Sequence, residues 1–566
     1  PLSSENVLMF GLGPLNGTLA PTSARVTVGG RSPLTGILGS GTAGGFWGAQ
    51  VKWAGFDGLI IIGRSQSPVT LLVQDDEISI QDATDLKGLT VSETTQALRR
   101  ELSDPQLSVA CIGPAGENLS KLSTIIFDVV RSAGRGGMGA VMGSKNIKAI
   151  AARGRKGVRI HDPRGFRKSC VDMINRCVET GLFKSRWEKG TYGAFTRWNE
   201  MGALLTRNGQ STQCDGVDAI SGIRFNEEHR IGRKACFGCP IPCWPRYVLE
   251  DGEGRGLYAE EVTASTFKEL GARCGILDLD TILTAHIRLN ELGLDTISTP
   301  AVIAFAMECF EKGILTAKDT GGKHIHFGAG NIVLDLIEEI AAGVNFGGEL
   351  GEGIRTCSAK WGDKSQPFAL EVKGLETPAT DPRGIFAWGL GYVTSTRGGC
   401  HMRAYSNFEY GGMTDEEMIR IAGTDTIKKP ESTQGKGKAV AYLENLRATG
   451  DSLELCHLLT RGELGFPEAY VDMLNTATGL AFEPGQLLTI GERIINVEHL
   501  FNRRHGLSTE EDRLPERFIN EPSPAGKSLG LTVPLDPMLE EYYLSRGWDR
   551  ETGAIKPDKL TQLGLQ

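Results

Sequence analysis

No apolar run in this 566-residue chain approaches the ~18 residues a membrane-crossing helix needs. The longest candidates, such as Leu59-Ile60-Ile61-Ile62, are of strand length, so no membrane insertion is expected. The first residues, Pro1-Leu2-Ser3-Ser4-Glu5-Asn6, lack the basic and apolar regions of a secretory leader. The absent initiator Met suggests that the chain starts inside its first domain. Twelve cysteines are too few for a disulfide scaffold of this length. Positive charge is not in excess either: the net charge of −8 weighs against a nucleic acid or an anionic membrane as main partner. Internal repeats and low-complexity tracts are missing. With 40% hydrophobic and 23% charged residues the composition is that of a globular protein, and the length is that of several domains.

Three of the few cysteines are crowded into eight residues, Cys236-Phe-Gly-Cys239-Pro-Ile-Pro-Cys243. Thiolates at that density hold metal. The C-x2-C-x3-C spacing suits a [4Fe–4S] cube that takes three local sulfurs and one distant sulfur. Tetrahedral zinc prefers paired knuckles, and no second C-x-x-C exists. Radical-SAM enzymes use the reverse order of spacings. Clustered thiolates also need a reducing compartment, so a cytoplasmic location is expected.

Glycine, by contrast, is plentiful, at 74 residues. Six lie within Gly36–Gly48 and five within Arg131–Gly143, and residues 131–159 hold eight Lys/Arg and no Asp/Glu. Such loops let backbone N–H groups turn inward on an anion, and arginine adds forked donors. The second loop is neither a Walker A motif nor a dinucleotide fingerprint in register. Each alone is also compatible with a structural turn. Beside a cluster, together they point to a phosphate-bearing redox cofactor other than a nicotinamide.

The expected fold class is α+β. A β-rich N-terminal domain is expected over 1–160, then two mostly helical domains over 161–370 and 371–566. Strands are expected at Val26–Val28 and Leu59–Ile62, and a hairpin from Val69–Gln74 and Ile78–Ala83. A helix is expected from Ser92 to Leu102 with Ser92 as cap, and another from Asp162-Pro163 through Cys177. Further helices are expected at 278–292, 299–312 (Thr299 cap), 332–341, 467–477 and 484–503. Thr377–Gly384 reads as a long loop dividing the helical part.

The stretch Arg131-Ser-Ala-Gly-Arg-Gly-Gly-Met-Gly-Ala-Val-Met-Gly-Ser-Lys-Asn146, with the cysteine triplet, resembles the tungsten-containing aldehyde ferredoxin oxidoreductase family. The resemblance runs from Pro1-Leu-Ser-Ser-Glu-Asn6 to Tyr542-Tyr543-Leu-Ser-Arg-Gly-Trp548. Family members carry further residues before the equivalent of Pro1, so the N-terminal sheet is expected to be incomplete. The resemblance implies a tungsten (or molybdenum) bis-pterin cofactor, magnesium bridging the pterin phosphates, and a [4Fe–4S] cluster on Cys236, Cys239, Cys243 and Cys456. It implies pterin contacts from two helical motifs. Asn290, Gly293, Leu294 and Asp295 match one, with Asn290 in place of an aspartate. Asp451 and Leu455 match the other, with Glu454 in place of a glycine. Arg25 would lie between cluster and pterin. Thr42, Ala43 and Gly44, and Arg131 with Ser132, would meet phosphate and magnesium.

The same resemblance implies Glu260 and His401 as catalytic, with Glu261 a one-residue ambiguity and Tyr258 a weak wall candidate. Thr284 stands where some members place a glutamate for an interfacial iron, so that iron is not expected, though a homodimer stays open. The implied activity is oxidation of an aldehyde to a carboxylate, with electrons leaving to ferredoxin or a polyferredoxin-type subunit. The alternatives are the catalytic subunit of a class II benzoyl-CoA reductase-type complex and, more distantly, a non-catalytic protein with a structural zinc.

Overall fold

The computed structural model describes every residue except 250–255, 257, 412, 459 and 461–463. The N-terminal part holds strands β1 (Leu8–Gly11), β2 (Val26–Arg31), β3 (Leu38–Ala43) and β4 (Gly58–Ile61). They form one antiparallel sheet in the order β3-β2-β1-β4. The next strands are β5 (Val69–Gln74), β6 (Glu77–Asp82), β7 (Ser108–Cys111), β8 (Ile125–Phe127), β9 (Arg131–Ala133) and β10 (Ile147–Arg153). They make a mixed sheet, β6-β5-β10-β7-β8-β9, in which only β5 and β10 run parallel. Phe10, Trp47 and Phe127 pack in a tilted and edge-on trio within the core beneath them, with centroids 5.3–6.3 Å apart. The β5–β6 hairpin forms as expected, but its second strand runs from Glu77 to Asp82, one residue earlier than Ile78–Ala83, leaving Asp75 and Asp76, both at positive φ, as a two-residue turn. At Gly41 a Cβ would lie 2.8 Å from the Ala133 carbonyl carbon. The bare backbone there lets the ends of β3 and β9 meet, which brings Thr42 beside Ser132.

Beyond residue 160 helices dominate. Asp162 caps helix Pro163–Glu179 by accepting from the Arg164 and Gly165 N–H groups. Two caps differ from expectation. The helix expected from Ser92 is Val91–Glu101, capped by Thr90 in a reciprocal box with Glu93. The Ser92 hydroxyl is taken instead by Glu291. The helix expected from Thr299 is Ser298–Glu311, and no side chain caps it. A three-stranded sheet, β11 (Arg230–Lys234), β12 (Trp244–Val248) and β13 (Tyr258–Glu260), interrupts the helices and was not anticipated. Thr377–Gly384 is largely non-helical as expected, with a 3-10 turn at Pro382–Gly384, but it is buried. Its backbone is satisfied from afar: Arg273 donates to the Thr377 carbonyl (2.6 Å), and Glu269 accepts from the Ala379 N–H (2.6 Å).

Arg517 ties three of these segments together. Its two Nη atoms donate to the two oxygens of fully buried Glu308 at 2.8 Å, and Nη1 also donates to the Asn208 carbonyl at 2.6 Å. Removing one member strands the other charge in a dry interior. Arg517→Met is therefore expected to cost about 3–5 kcal/mol, read as a fall in the chemical-denaturation midpoint. Glu308→Gln with Arg517→Met should recover part of that loss.

Candidate functional site

The loop between β11 and β12 carries the cysteine triplet, closed by the Lys234–Trp244 pair. Short backbone bonds curl it: the Cys239 N–H to the Cys236 carbonyl (3.1 Å) and the Cys243 N–H to the Ile241 carbonyl (2.9 Å). The Ile241 N–H points at Cys239 Sγ (3.4 Å). The Phe237 N–H donates to the Gly45 carbonyl (3.1 Å), docking this loop on the glycine loop after β3. A Cβ at Gly44 would lie 2.8 Å from Cys236 Sγ, so only glycine leaves room for that sulfur. Cys456 arrives from the far end of the chain, its N–H bonded to the Thr22 carbonyl (3.1 Å). The four sulfurs feel one another. Burial first, then Cys236, Cys456 and Cys243, push the Cys239 thiol well above its usual range. Cys243 is pushed up to about 11, again by burial first, with Arg131 opposing. Metal must displace those protons to bind. Among the described residues no three His, Cys, Asp or Glu side chains converge as for one metal ion. A cubane, whose irons take one corner sulfur each, does not require such convergence.

A cavity of about 600 Å³ opens beside this loop. Of the expected site residues, Arg25, Thr42, Ser132, Asn290, Asp295 and His401 line it. Both helical motifs dock on the N-terminal domain through backbone bonds, the first reaching the cavity with Asn290 and Asp295 and the second ending just short of it, before the wall residues His457 and Leu458. The Thr124 N–H donates to the Gly293 carbonyl (2.8 Å), the Asp295 N–H to the Leu122 carbonyl (2.9 Å), and Ser123 bridges to Leu294. Gly293 ends its helix in the left-handed conformation. At the second motif the Arg25 N–H donates to the Glu454 carbonyl (3.3 Å). Glu454 holds a positive φ of 54°, the backbone of a glycine position kept under another side chain. Arg25 grips Thr42 with Nε (3.0 Å) and Nη2 (2.6 Å) on its hydroxyl.

Ala43, Gly44, Gly293, Leu294 and Leu455 are not in the cavity wall, and neither is Asp451, which pairs with Arg447 (2.7 Å) and Arg403 (3.6 Å). Arg131 also lies behind the wall. Its guanidinium packs 3.9 Å over Trp244 and pairs with Glu261 at 2.7 Å. Glu260 faces away: it accepts from the Tyr258 hydroxyl (2.6 Å) and Lys234 (3.2 Å), and it lines a second cavity of about 920 Å³. Glu261, which follows the end of β13 at a φ of 67°, shares the cavity with His401, as Asp295 does.

Burial pushes Glu261 up, and Arg131 holds it down in part. His401 is driven well below its usual pKa by burial and then by Lys268, Arg135, Arg397 and Arg447, so its imidazole is neutral at physiological pH. Its Nδ1 is buried without a partner, as are Ser132 Oγ, and neither Asp295 Oδ2 nor Arg135 Nε makes a hydrogen bond. The last two form only a 3.4 Å ion pair. Buried polar atoms are rarely unbonded. Around this cavity Ser132 and Arg135 can donate to an anionic group while Asp295 can only accept, and a phosphate-bearing pterin, with both acceptor oxygens and ring N–H groups, fits that set.

A family model for the N-terminal domain of aldehyde ferredoxin oxidoreductase matches residues 1–154. The model for domains 2 and 3 of the same family matches residues 172–565. The chain belongs to the aldehyde ferredoxin oxidoreductase family. It is 40% identical over 570 residues to a tungsten-containing aldehyde ferredoxin oxidoreductase of Pyrococcus furiosus, spanning 100% of this chain and 91% of that one. A Thermococcus kodakarensis protein of the same description is 39% identical over 570 residues, with the same coverage. The Pyrococcus furiosus aliphatic sulfonate oxidoreductase, WOR-like subunit, is 28% identical over 598 residues, covering 100% of this chain and 89% of that one. Among solved structures, the active-site complex of a benzoyl coenzyme A reductase with 1,5-dienoyl-CoA superposes with a TM-score of 0.83. At 24% identity, and with 100% of this chain and 90% of that one covered, it shares the fold.

Within this family fold, the cavity-wall residues that the sequence reading missed include Arg135, Lys268 and Arg397. Arg135 was visible inside a glycine-rich loop. It donates to the Gly399 carbonyl (2.7 Å) and the Ser298 hydroxyl (3.2 Å), buttressing the His401 loop. Lys268 gave no signal, because nothing local marks an unpaired buried lysine.

Proposed function

We propose that the protein oxidises an aldehyde to its carboxylate and delivers the two electrons singly to ferredoxin. The overall change is RCHO + H2O → RCOO⁻ + 3 H⁺ + 2 e⁻. A tungsten (or molybdenum) bis-pterin, with magnesium between its phosphates, would be held by Arg25, Thr42, Ser132, Asn290 and Asp295. Cys236, Cys239, Cys243 and Cys456 would hold a [4Fe–4S] cluster. When bound, the pterin metal supplies the two-electron oxidation and the cluster supplies the one-electron relay.

The protein's own part is proton handling, orientation and exclusion of water. Neutral His401 carries an unpartnered Nδ1 in the cavity wall and is stacked 5.3 Å from Trp388 at 13°. That fixes the ring, so it can polarise the carbonyl oxygen by donating one hydrogen bond. Glu261, more basic than an exposed glutamate, can take a proton from water as the carbonyl carbon is attacked. Arg131 then moderates the change of charge and, being next to Cys243, connects it electrostatically to the electron exit. Trp198, Trp388 and Tyr410 wall the cavity with rings and restrict water.

The observation that carries the reading is the placing of His401 and Glu261 in one cavity, with Arg131 behind its wall facing both Glu261 and the cysteines Cys236, Cys243 and Cys456. The test is anaerobic viologen reduction with a panel of aldehydes, on protein whose tungsten and iron contents have been measured. Dye reduction by at least one aldehyde is expected. No reduction from fully loaded protein would defeat the activity while leaving the fold intact. No feature of the site favours benzoyl-CoA reduction, and the likeness to that complex concerns the fold alone.

A further inference from the structure

Lys268 is a buried cation that feels the buried carboxylate of Glu269 but forms no ion pair with it, Glu269 being paired with Arg273 instead. It sits on a seven-residue π-helix, Phe267–Arg273, every residue of which is buried. Wide π turns are costly and recur at functional sites. Here the turn puts neighbouring side chains to different uses. Glu269 points to Arg273 (3.2 Å) and the Ala379 N–H, whereas Lys268 lines the cavity. The Lys268 ammonium donates to Thr380 Oγ1 (2.5 Å), leaving two of its three protons free for another acceptor. Among the described residues no carboxylate lies within 4 Å of it. Burial lowers its pKa to about 8, which leaves it charged at neutral pH.

Its surroundings suit a ligand. Nζ lies 4.8 Å from the Trp198 ring and 5.9 Å from the Trp388 ring. Those indoles meet edge-on at 5.0 Å, Trp198 continues to Tyr410 at 5.0 Å, and Trp388 carries His401 on its face. Arg197, at the exposed side of this wall, donates to the Tyr410 carbonyl (2.7 Å). The two carboxylates that line the cavity, Glu261 and Asp295, already face Arg131 and Arg135. The tryptophan end thus offers positive charge and apolar surface, with no negative charge of its own.

We propose that Lys268, framed by Trp198 and Trp388, binds a carboxylate carried by the substrate, so that the preferred substrates are aldehydes bearing a second, anionic group on an apolar or aromatic body. This rests on the aldehyde-oxidising reading above. The carbonyl would meet His401 while the carboxylate meets Lys268 along the same indole. Truncating one partner of a desolvated charge pair has large effects on binding.

The test uses loaded enzyme and matched substrates: benzaldehyde against 4-formylbenzoate, and butanal against succinic semialdehyde. Wild type is expected to favour the charged member at least about tenfold in kcat/KM. Lys268→Met should lose about 100-fold on the charged members, through KM, with neutral ones changed less than about threefold. Lys268→Arg should keep part of the preference. Calorimetry should show terephthalate binding wild type more tightly than benzoate does, and the difference should vanish in Lys268→Met. Equal wild-type rates within each pair would overturn the proposal. So would an equal loss on both members in Lys268→Met, which marks a proton donor or a cofactor contact. Inactivity of loaded wild type toward all four aldehydes would instead defeat the activity reading.

Discussion

Glu261→Gln is expected to lower kcat for aldehyde oxidation by about 10²–10⁴-fold, the range for loss of a general base, while Glu260→Gln stays within about twofold. The two glutamates are neighbours in sequence and face different cavities. Glu260 is engaged by Tyr258 and Lys234 on the β13 side. Glu261 is buried against Arg131 in the wall that holds His401. Glutamine keeps the size and the hydrogen bond to Arg131 but cannot accept a proton at physiological pH. KM should move little, because the lost role is in the reaction step and not in holding the aldehyde. Tungsten and iron contents must match wild type for the comparison to count. A collapse in Glu260→Gln with Glu261→Gln active would return the role to Glu260.

The second large effect is Cys456→Ala. With the fourth thiol gone, iron should drop well below the roughly four atoms per chain of an intact cube, and ferredoxin reduction should fall by more than about 100-fold. Cys214→Ala is the control. Its sulfur is buried and pushed up to about 11 by burial, with no other cysteine among the causes. It should keep its iron. Full iron content in Cys456→Ala would remove this residue from the cluster.

These contrasts mark where sequence reasoning succeeds and where it stops. The Asp162-Pro163 helix start was legible because capping is local chemistry, complete within four residues. Ser92 was read as the cap, whereas Thr90 takes that place through a capping box with Glu93, a local pattern that the reading passed over, and Ser92 is engaged by the distant Glu291 carboxylate. Thr377–Gly384 was legible as a loop, but not as a buried one, because the groups that satisfy it lie about a hundred residues away. The cysteine spacing announced a cluster, and the family motifs brought Arg25, Asn290, Asp295 and His401 to one wall. The choice of Glu260 failed to reach that wall for a backbone reason. Glu260 shares the Tyr258 side of β13 and so lines the second cavity, while its neighbour Glu261 lies on the His401 side.

The bond between the Thr22 carbonyl and the Cys456 amide has a consequence for the timing of synthesis. At translation rates of about 5–20 residues per second, tens of seconds separate the emergence of those two residues. For about half of that interval Cys236, Cys239 and Cys243 stand on the nascent chain without Cys456, and the cavity has no far wall. Loading of the chain is therefore a late event, completed only after the last third has folded onto the first.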